Sequence, residues 1–323
     1  MPTRLLTFKN NIYARFLLKL ISLFLLVFIL DFIIGGLLNR FYFTQESGNL
    51  FRTTYSFEHT SEDLLVFGSS TANHDYPSEI FQKRLKLSTY NVGRDGTSIF
   101  YDYALLQSIL KRYSPKIIIL NFDLDEFKKT SESYDRISSL LPYYRRHPEI
   151  RPIVELKSPY EKIKLFSKIY PYNSLFFSIL AGNAEFNKKR RQDYQGYVPL
   201  TKIWGESLHS TKYKYQELDS NKIKIYKAFI HDCIAARVKL YVVCAPFFVN
   251  FENRSNSVMV GENIANEYRV KYFDFSGDPS ILNKPSLFAD MSHLNRKGAE
   301  IYSNKIIDKI INEESQEVSS QKR

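Results

Sequence analysis

A chain of 323 residues with 44% apolar side chains has the length for one large domain or two small ones and the means to bury a core, which excludes a disordered chain. Two cysteines, Cys233 and Cys244, are too few for a disulfide framework and lack metal-ligand spacing, so they read as buried small hydrophobes, a single disulfide being the alternative. The net charge of +11 comes with no nucleic-acid motif, which leaves an anionic envelope polymer, a lipid surface or a merely solvated basic face as its counterpart.

The first element in chain order is apolar. Residues 16–38 read FLLKLISLFLLVFILDFIIGGLL, and from Leu20 to Leu38 only Ser22 and Asp31 interrupt the run. About 20 apolar residues match the hydrocarbon thickness of a bilayer. The run is longer than a signal-peptide core and no A-x-A cleavage site follows it, so an uncleaved anchor is expected, with a signal peptide as the alternative. Arg4, Lys9, Arg15 and Lys19 precede it and only Arg40 follows closely. The positive-inside rule then places residues 1–15 in the cytoplasm and the rest of the chain outside, at the inner or plasma membrane. Asp31 is costly in lipid and reads either as a contact with another membrane protein or as a group near the outer interface that reaches water.

Residues 39–62 read as a polar connector. From Asp63 short apolar runs alternate with longer amphipathic segments. The runs are LLVF (64–67), STYNV (88–92), KIIILNF (116–122), KLYVVCA (239–245) and VKYFDF (270–275). Continuous apolar runs of this kind suit strands buried on both faces. Pro77–Leu87, Ser98–Tyr113, Asp219–Arg237 and Asn295–Asn312 suit the crossover helices. The alternation predicts an α/β domain over 63–312 with a parallel sheet covered by helices. Residues 124–218 break the rhythm and predict a helical insertion beside the sheet. Between 145 and 191 it carries eleven Lys or Arg against four Glu, a surface for a polyanion or glycan, or simply a solvated face. Its apolar piece at 174–181 is too short to cross a bilayer. The tail, 313–323, is polar and expected to fray.

In an open parallel sheet, ligands bind outside the carboxyl ends of the strands. Small and reactive residues gather there. Gly68-Ser69-Ser70 follows the first run, Gly93-Arg94-Asp95-Gly96 the second, Asp123 the third, and Asp290-Met-Ser-His293 the last strand and its loop. A serine just past a glycine turn sits near a helix N-terminus, where negative charge on oxygen is favoured. It still needs a base, and the base needs an orienting partner. His293 and Asp290 suit those parts, and the backbone N–H groups of Ser70 and Gly96 suit an oxyanion. Taken singly, GSS reads more often as a turn, and a histidine at a helix start as structural. His74, close to GSS, reads as a surface histidine. No metal cluster or nucleotide fingerprint is present, and no cofactor is expected.

Together these residues resemble the SGNH, or GDSL, hydrolases. VFGSS is similar to that family's first block, with Ser69 where its Asp stands and Ser70 at the nucleophile position. NVGRDGT is similar to the second block, with Gly96 as the oxyanion donor, and DMSHLNRKGAEIY to the last, including Leu-Asn-x-x-Gly after the histidine. The resemblance covers about 63–123 and 219–312. The third block departs: IILNFDLDEF has no Gly-x-Asn, and Asn121 or Asp123 occupies its region, both as candidate oxyanion or substrate-binding residues. A carboxylate there repels an oxyanion unless protonated or turned away. The anchor and the GSS block are similar to those of membrane-anchored SGNH-like proteins of bacterial envelopes, several of which work beside membrane-bound O-acyltransferases. The resemblance implies a flavodoxin-like parallel sheet and a serine esterase or O-acyltransferase acting on an acylated envelope glycan or acyl donor. The rival expectation is a catalytically weak glycan-binding or scaffold subunit that partners such an acyltransferase.

Overall fold

The computed structural model describes residues 12–184 and 193–321. The expected cytoplasmic segment before Ile12, with Arg4 and Lys9, and residues 187–192 of the basic run lie outside the described residues.

Five strands form one parallel sheet. They are β1 (Leu64–Phe67), β2 (Thr89–Asn91), β3 (Ile117–Asn121), β5 (Lys239–Cys244) and β7 (Lys271–Asp274). A separate two-residue ladder joins β4 (Ser210–Thr211) to β6 (Asn250–Phe251). The sheet order is β2-β1-β3-β5-β7, the flavodoxin-like order once the ladder is set aside. Side chains along each strand alternate between two cores, as the pleat demands. Leu65, Phe67, Ile118, Leu120, Leu240 and Val242 face one core, and Leu64, Val66, Ile117, Ile119, Tyr241 and Val243 the other. The first core is closed by α5 (Ile99–Leu110) and the helix Ser220–Ala235, and the second by α4 (Ser78–Leu85) and the helix Arg296–Gln321. Asp219 and Ser255 cap the helices that follow them, their side chains accepting from Asn221 N and from Ser257 and Val258 N. Cys233 and Cys244 are buried and free, so the single-disulfide alternative falls.

Expectations outside the sheet are corrected at the connector and at the tail. The polar connector holds α2 (Gly48–Glu58), whose Phe57 is fully buried and whose Arg52 reaches Asn73 Oδ1 at 2.8 Å. The helix expected over Pro77–Leu87 is α4, which begins directly after Pro77, and a short further helix, α3 (Ser70–Asp75), precedes it. The tail does not fray at 313, because the last helix runs to Gln321, and Glu313 and Glu314 pair with Lys271 and Lys239 of the sheet at 2.6 and 3.5 Å. Asp31 is partly buried and has partners within the chain. It accepts from Ser167 Oγ at 2.5 Å, Lys168 N at 2.7 Å and Ile169 N at 3.2 Å.

The N-terminal helix α1 (Ile12–Phe43) is a candidate membrane span of 32 residues with a mean hydropathy of 2.7 over its most apolar window. Between Ser131 and Asn183 the insertion is built of short helices and 3-10 turns that pack on α1, α2 and α5.

Candidate active site

Chain order reverses at β1, which lies between β2 and β3, so the loops leaving those three strands meet at one edge. Gly68 turns the chain out of β1 with φ +135°, a conformation closed to other residues. A Cβ there would also stand 2.9 Å from Asn121 Cβ. Ser69 follows, and Ser70 opens α3.

The loop 288–294 brings the histidine to this point. Asp290 Oδ1 accepts from Ser292 N at 2.8 Å and His293 N at 3.0 Å, folding Asp290–His293 into a side-chain-closed turn. Beyond it Leu294 N donates to the buried Asp75 at 3.0 Å, and Asn295 Nδ2 donates to Ser286 O at 2.7 Å. Asn295 Oδ1 in turn accepts from Gly298 N at the head of the last helix. That accounts for the Leu-Asn-x-x-Gly pattern as the clamp of this loop.

The clamp leaves His293 Nε2 2.8 Å from Ser70 Oγ. On the other side of the ring, Nδ1 lies 2.9 and 3.0 Å from the two Asp290 oxygens. Nδ1 therefore carries the proton, and Nε2 is the acceptor for the Ser70 hydroxyl. Burial disfavours the imidazolium. The Asp290 hydrogen bond and the negative field of Asp75, Asp290 and Asp123 outweigh that burial, and the His293 pKa is raised. Asp290 is pulled the other way: burial raises it, but its bonds to His293 and to the Ser292 amide leave its pKa lowered.

Ser69 and Ser70 are separated by their partners. Ser69 Oγ donates to Asp123, not to the histidine. Asp123 also accepts from Asn121 Nδ2 at 2.7 Å. Burial pushes the Asp123 carboxyl up, against the hydrogen bonds from Ser69, Thr71 and Asn121. Nearby Glu126 is pushed up to about 7 by burial, with Lys222 opposing and the field of Asp123 adding. An acid-lined wall thus stands beside Ser70.

Two clefts open at the serine. One, about 310 Å³, is polar, with Gly96, Thr97, Asp123, Lys128, Thr130 and Arg136 among its walls. The other, about 270 Å³, is more apolar, with Leu124, Tyr213, Phe247 and Phe251. Gly96 shares the polar cleft with Ser70 and has φ +70°. Asp123 lines both clefts.

Asn121 does not reach either cleft, which corrects its assignment to substrate binding. It is 2% exposed, accepts from Tyr76 OH at 2.7 Å and spends its amide on Asp123. His74 is likewise not a surface residue. It is 6% exposed, donates from Nδ1 to Val198 O at 2.7 Å and packs edge-on against His293 at 5.4 Å between ring centroids. Sequence reasoning missed Asp75, Asn73 and Asp95. Asn73 Nδ2 donates to Asp95 Oδ1 at 2.5 Å, and His74 Nε2 lies 3.3 Å from the same oxygen, tying α3 to the loop after β2. The signal was the polar run Asn73-His74-Asp75 just behind Ser70, too polar for an exposed helix to need.

No protein-family model matches the chain, and no curated protein matches it. Among solved structures, esterase EstA from Pseudoalteromonas sp., in a form inhibited by monoethylphosphonate, is similar over 77% of this chain and 96% of its own, at 9% identity and a TM-score of 0.42. A candidate acylhydrolase from Bacteroides fragilis is similar over 80% of this chain and 94% of its own, at 8% identity and a TM-score of 0.39. Likenesses this slight assign neither fold nor activity here; the sheet and the Ser70 edge stand on the chain's own geometry.

Proposed function

We propose that this chain is a membrane-anchored serine esterase or O-acyltransferase of SGNH type, its domain on the extracytoplasmic side and its substrate an acyl ester of an envelope polysaccharide. One observation carries the reading: His293 sits between Ser70 Oγ and a two-oxygen contact with Asp290, at the carboxyl edge of the sheet. Ser70 Oγ attacks the acyl carbon as His293 Nε2 takes its proton, and Asp290 holds the imidazolium. The oxyanion meets the Ser70 and Gly96 N–H groups. His293 then returns the proton to the departing alcohol, leaving acyl-Ser70. Water releases the acyl group as a free acid, whereas a sugar hydroxyl carries it away as a new ester. The two clefts suit this division, with an apolar wall for the acyl chain and a polar one for the acceptor.

The topology rests on Arg4, Lys9, Arg15 and Lys19 before the apolar run against Arg40 after it. Protease protection of the domain in sealed membranes tests it. For the chemistry, the full chain in detergent is given a chromogenic acetyl ester beside Ser70→Ala and His293→Ala. Turnover that both variants lose by about 10³-fold or more supports the reading, and equal turnover in all three defeats it.

A second reading has its own observation. Asp123 faces both clefts beside Ser70, where a carboxylate opposes an oxyanion. A weakly catalytic glycan-binding or scaffold subunit beside a membrane-bound O-acyltransferase fits that feature. Binding of a soluble envelope glycan by a chain without turnover distinguishes it.

A further inference from the structure

The insertion carries an apolar surface that the proposed chemistry does not use. Phe166 and Phe177 are each 81% exposed, Ile163 is 65% exposed and Leu180 is 53% exposed. Side chains of this size, exposed together on one short stretch of chain, mark a surface with a partner. What covers it is set by where the patch sits on α1.

Three contacts fix that position. Asp31 of α1 accepts from Ser167 Oγ, Lys168 N and Ile169 N. Asn39 Oδ1 accepts from Tyr172 OH at 2.9 Å, and Phe41 O accepts from Asn183 Nδ2 at 2.8 Å. A Cβ on Gly35 would stand 2.4 Å from the Lys168 carbonyl carbon, so only glycine lets the insertion lie this close to the helix. The insertion is therefore clamped along α1 from Asp31 to Phe41.

That stretch is still apolar on its free side. Ile33, Ile34 and Leu37 are 53%, 41% and 51% exposed there. Asp31 lies seven residues before Leu38, the end of the apolar run, a descent of about 10 Å along the helix. If hydrocarbon surrounds Ile33 to Leu37, it also surrounds the segment bonded to Asp31. The same depth explains the aspartate. Backbone amides at membrane depth need acceptors, and a carboxylate in a span is costly unless it is spent. Asp31 meets both demands by accepting from Lys168 and Ile169.

We propose that residues 160–183 are a foot sunk into the leaflet on the domain side, with Ile163, Phe166, Phe177 and Leu180 facing lipid acyl chains. This rests on α1 spanning a bilayer and is independent of the Ser70 chemistry. The depth of about 10 Å matches that of interfacial helices. Lys162 and Lys164 on either side of Ile163 are exposed and pair with Glu155 at 3.1 Å and Glu161 at 3.3 Å, so their stems can lie along the apolar surface while their charges are met. Lys168 lays its ammonium 3.4 Å from the Phe32 ring centroid. The foot and α1 together hold the domain at one height and one rotation above the membrane, which a single span does not.

The test uses the full chain in phosphatidylcholine vesicles with brominated acyl chains, in a Trp204→Phe background. Single indoles are placed by Phe177→Trp, Phe24→Trp and Tyr215→Trp. Position 24 reports the span and position 215, 65% exposed on the domain, reports water. The proposal expects bromine to quench positions 24 and 177 while sparing 215, and acrylamide to quench only 215. Quenching at 24 with 177 open to acrylamide overturns the foot and leaves the span standing. No bromine quenching at 24 overturns the span on which the foot rests. Protection of 177 from both quenchers puts a second copy of the chain on the patch and overturns the lipid assignment.

Discussion

Replacing Asp290 by asparagine changes one oxygen to an NH2 and leaves the turn intact. Oδ1 can still accept from Ser292 N and His293 N, which lie at 2.8 and 3.0 Å. The NH2 then faces His293 Nδ1 across the 3.0 Å now spanned by Oδ2. Oδ1, already holding the two amides, is then the one Asp290-side acceptor left for Nδ1–H, and the NH2 beside it favours the tautomer with its proton on Nε2, 2.8 Å from Ser70 Oγ, where that nitrogen no longer accepts the serine proton. The expected loss is about 10⁴-fold in kcat, or about 5 kcal/mol of transition-state stabilisation. Folding stability changes by less than about 1 kcal/mol, because the Asp290 side chain is 42% exposed and its ion pair with His293 is screened. The assay is turnover of a chromogenic acetyl ester against pH, with a thermal scan alongside. Since His293 must be neutral to act, its raised pKa puts the acid limb of kcat/KM above the ordinary histidine value of 6.5. In Asp290→Asn, what activity is left has its acid limb at lower pH. Activity within tenfold of the parent, with an unmoved limb, refutes the orienting role of Asp290.

Other predictions follow from the acidic wall. Asp123, its pKa raised, takes on charge at higher pH than an ordinary carboxyl, and once charged it opposes the oxyanion, so kcat falls as pH rises through that titration. Asp123→Asn removes that fall and raises turnover on its high-pH side by about tenfold or more; an unchanged profile contradicts the placement of the oxyanion beside Asp123. Glu126 concerns stability, and its sign is opposite to that of a paired carboxylate. Its folded pKa of about 7 lies above the ordinary 4.5, so the folded state holds the proton longer and stability falls as pH rises from 4.5 through about 7. Glu126→Gln keeps the acceptor for Ile99 N and should be more stable than the parent above neutral pH, by up to about 3 kcal/mol, the gain vanishing near pH 4.5. Equal denaturation midpoints at both ends of that window contradict it.

The sheet was legible in the sequence because its strands are buried on both faces and read as unbroken apolar runs. The order of its strands came only with the resemblance, since an apolar run does not say which neighbour it pairs with. The Asp290–His293 turn was legible because its bonds are local, three residues apart. Long-range pairings were not. Asp31 finds its partners 136 to 138 positions away, and His74 finds Val198 at a separation of 124, so each reads alone as a stray polar group. The α2 helix was hidden for a related reason. It buries Arg52, Thr53, Thr54 and Ser56 beside Leu50 and Phe57, and a polar buried face leaves no hydrophobic period. Past Ile311 the last helix continues on charge pairs to the sheet, where apolar spacing gives no sign of it.

Labelling with a fluorophosphonate, which loses fluoride as a serine oxygen bonds to phosphorus, tests the central claim most directly. The full chain is treated, digested and read by peptide mass, beside Ser70→Ala and His293→Ala. A phosphonyl group on Ser70, absent from both variants, is the predicted result, since only Ser70 has His293 at 2.8 Å. A label on Ser69, or none on a folded chain, contradicts it.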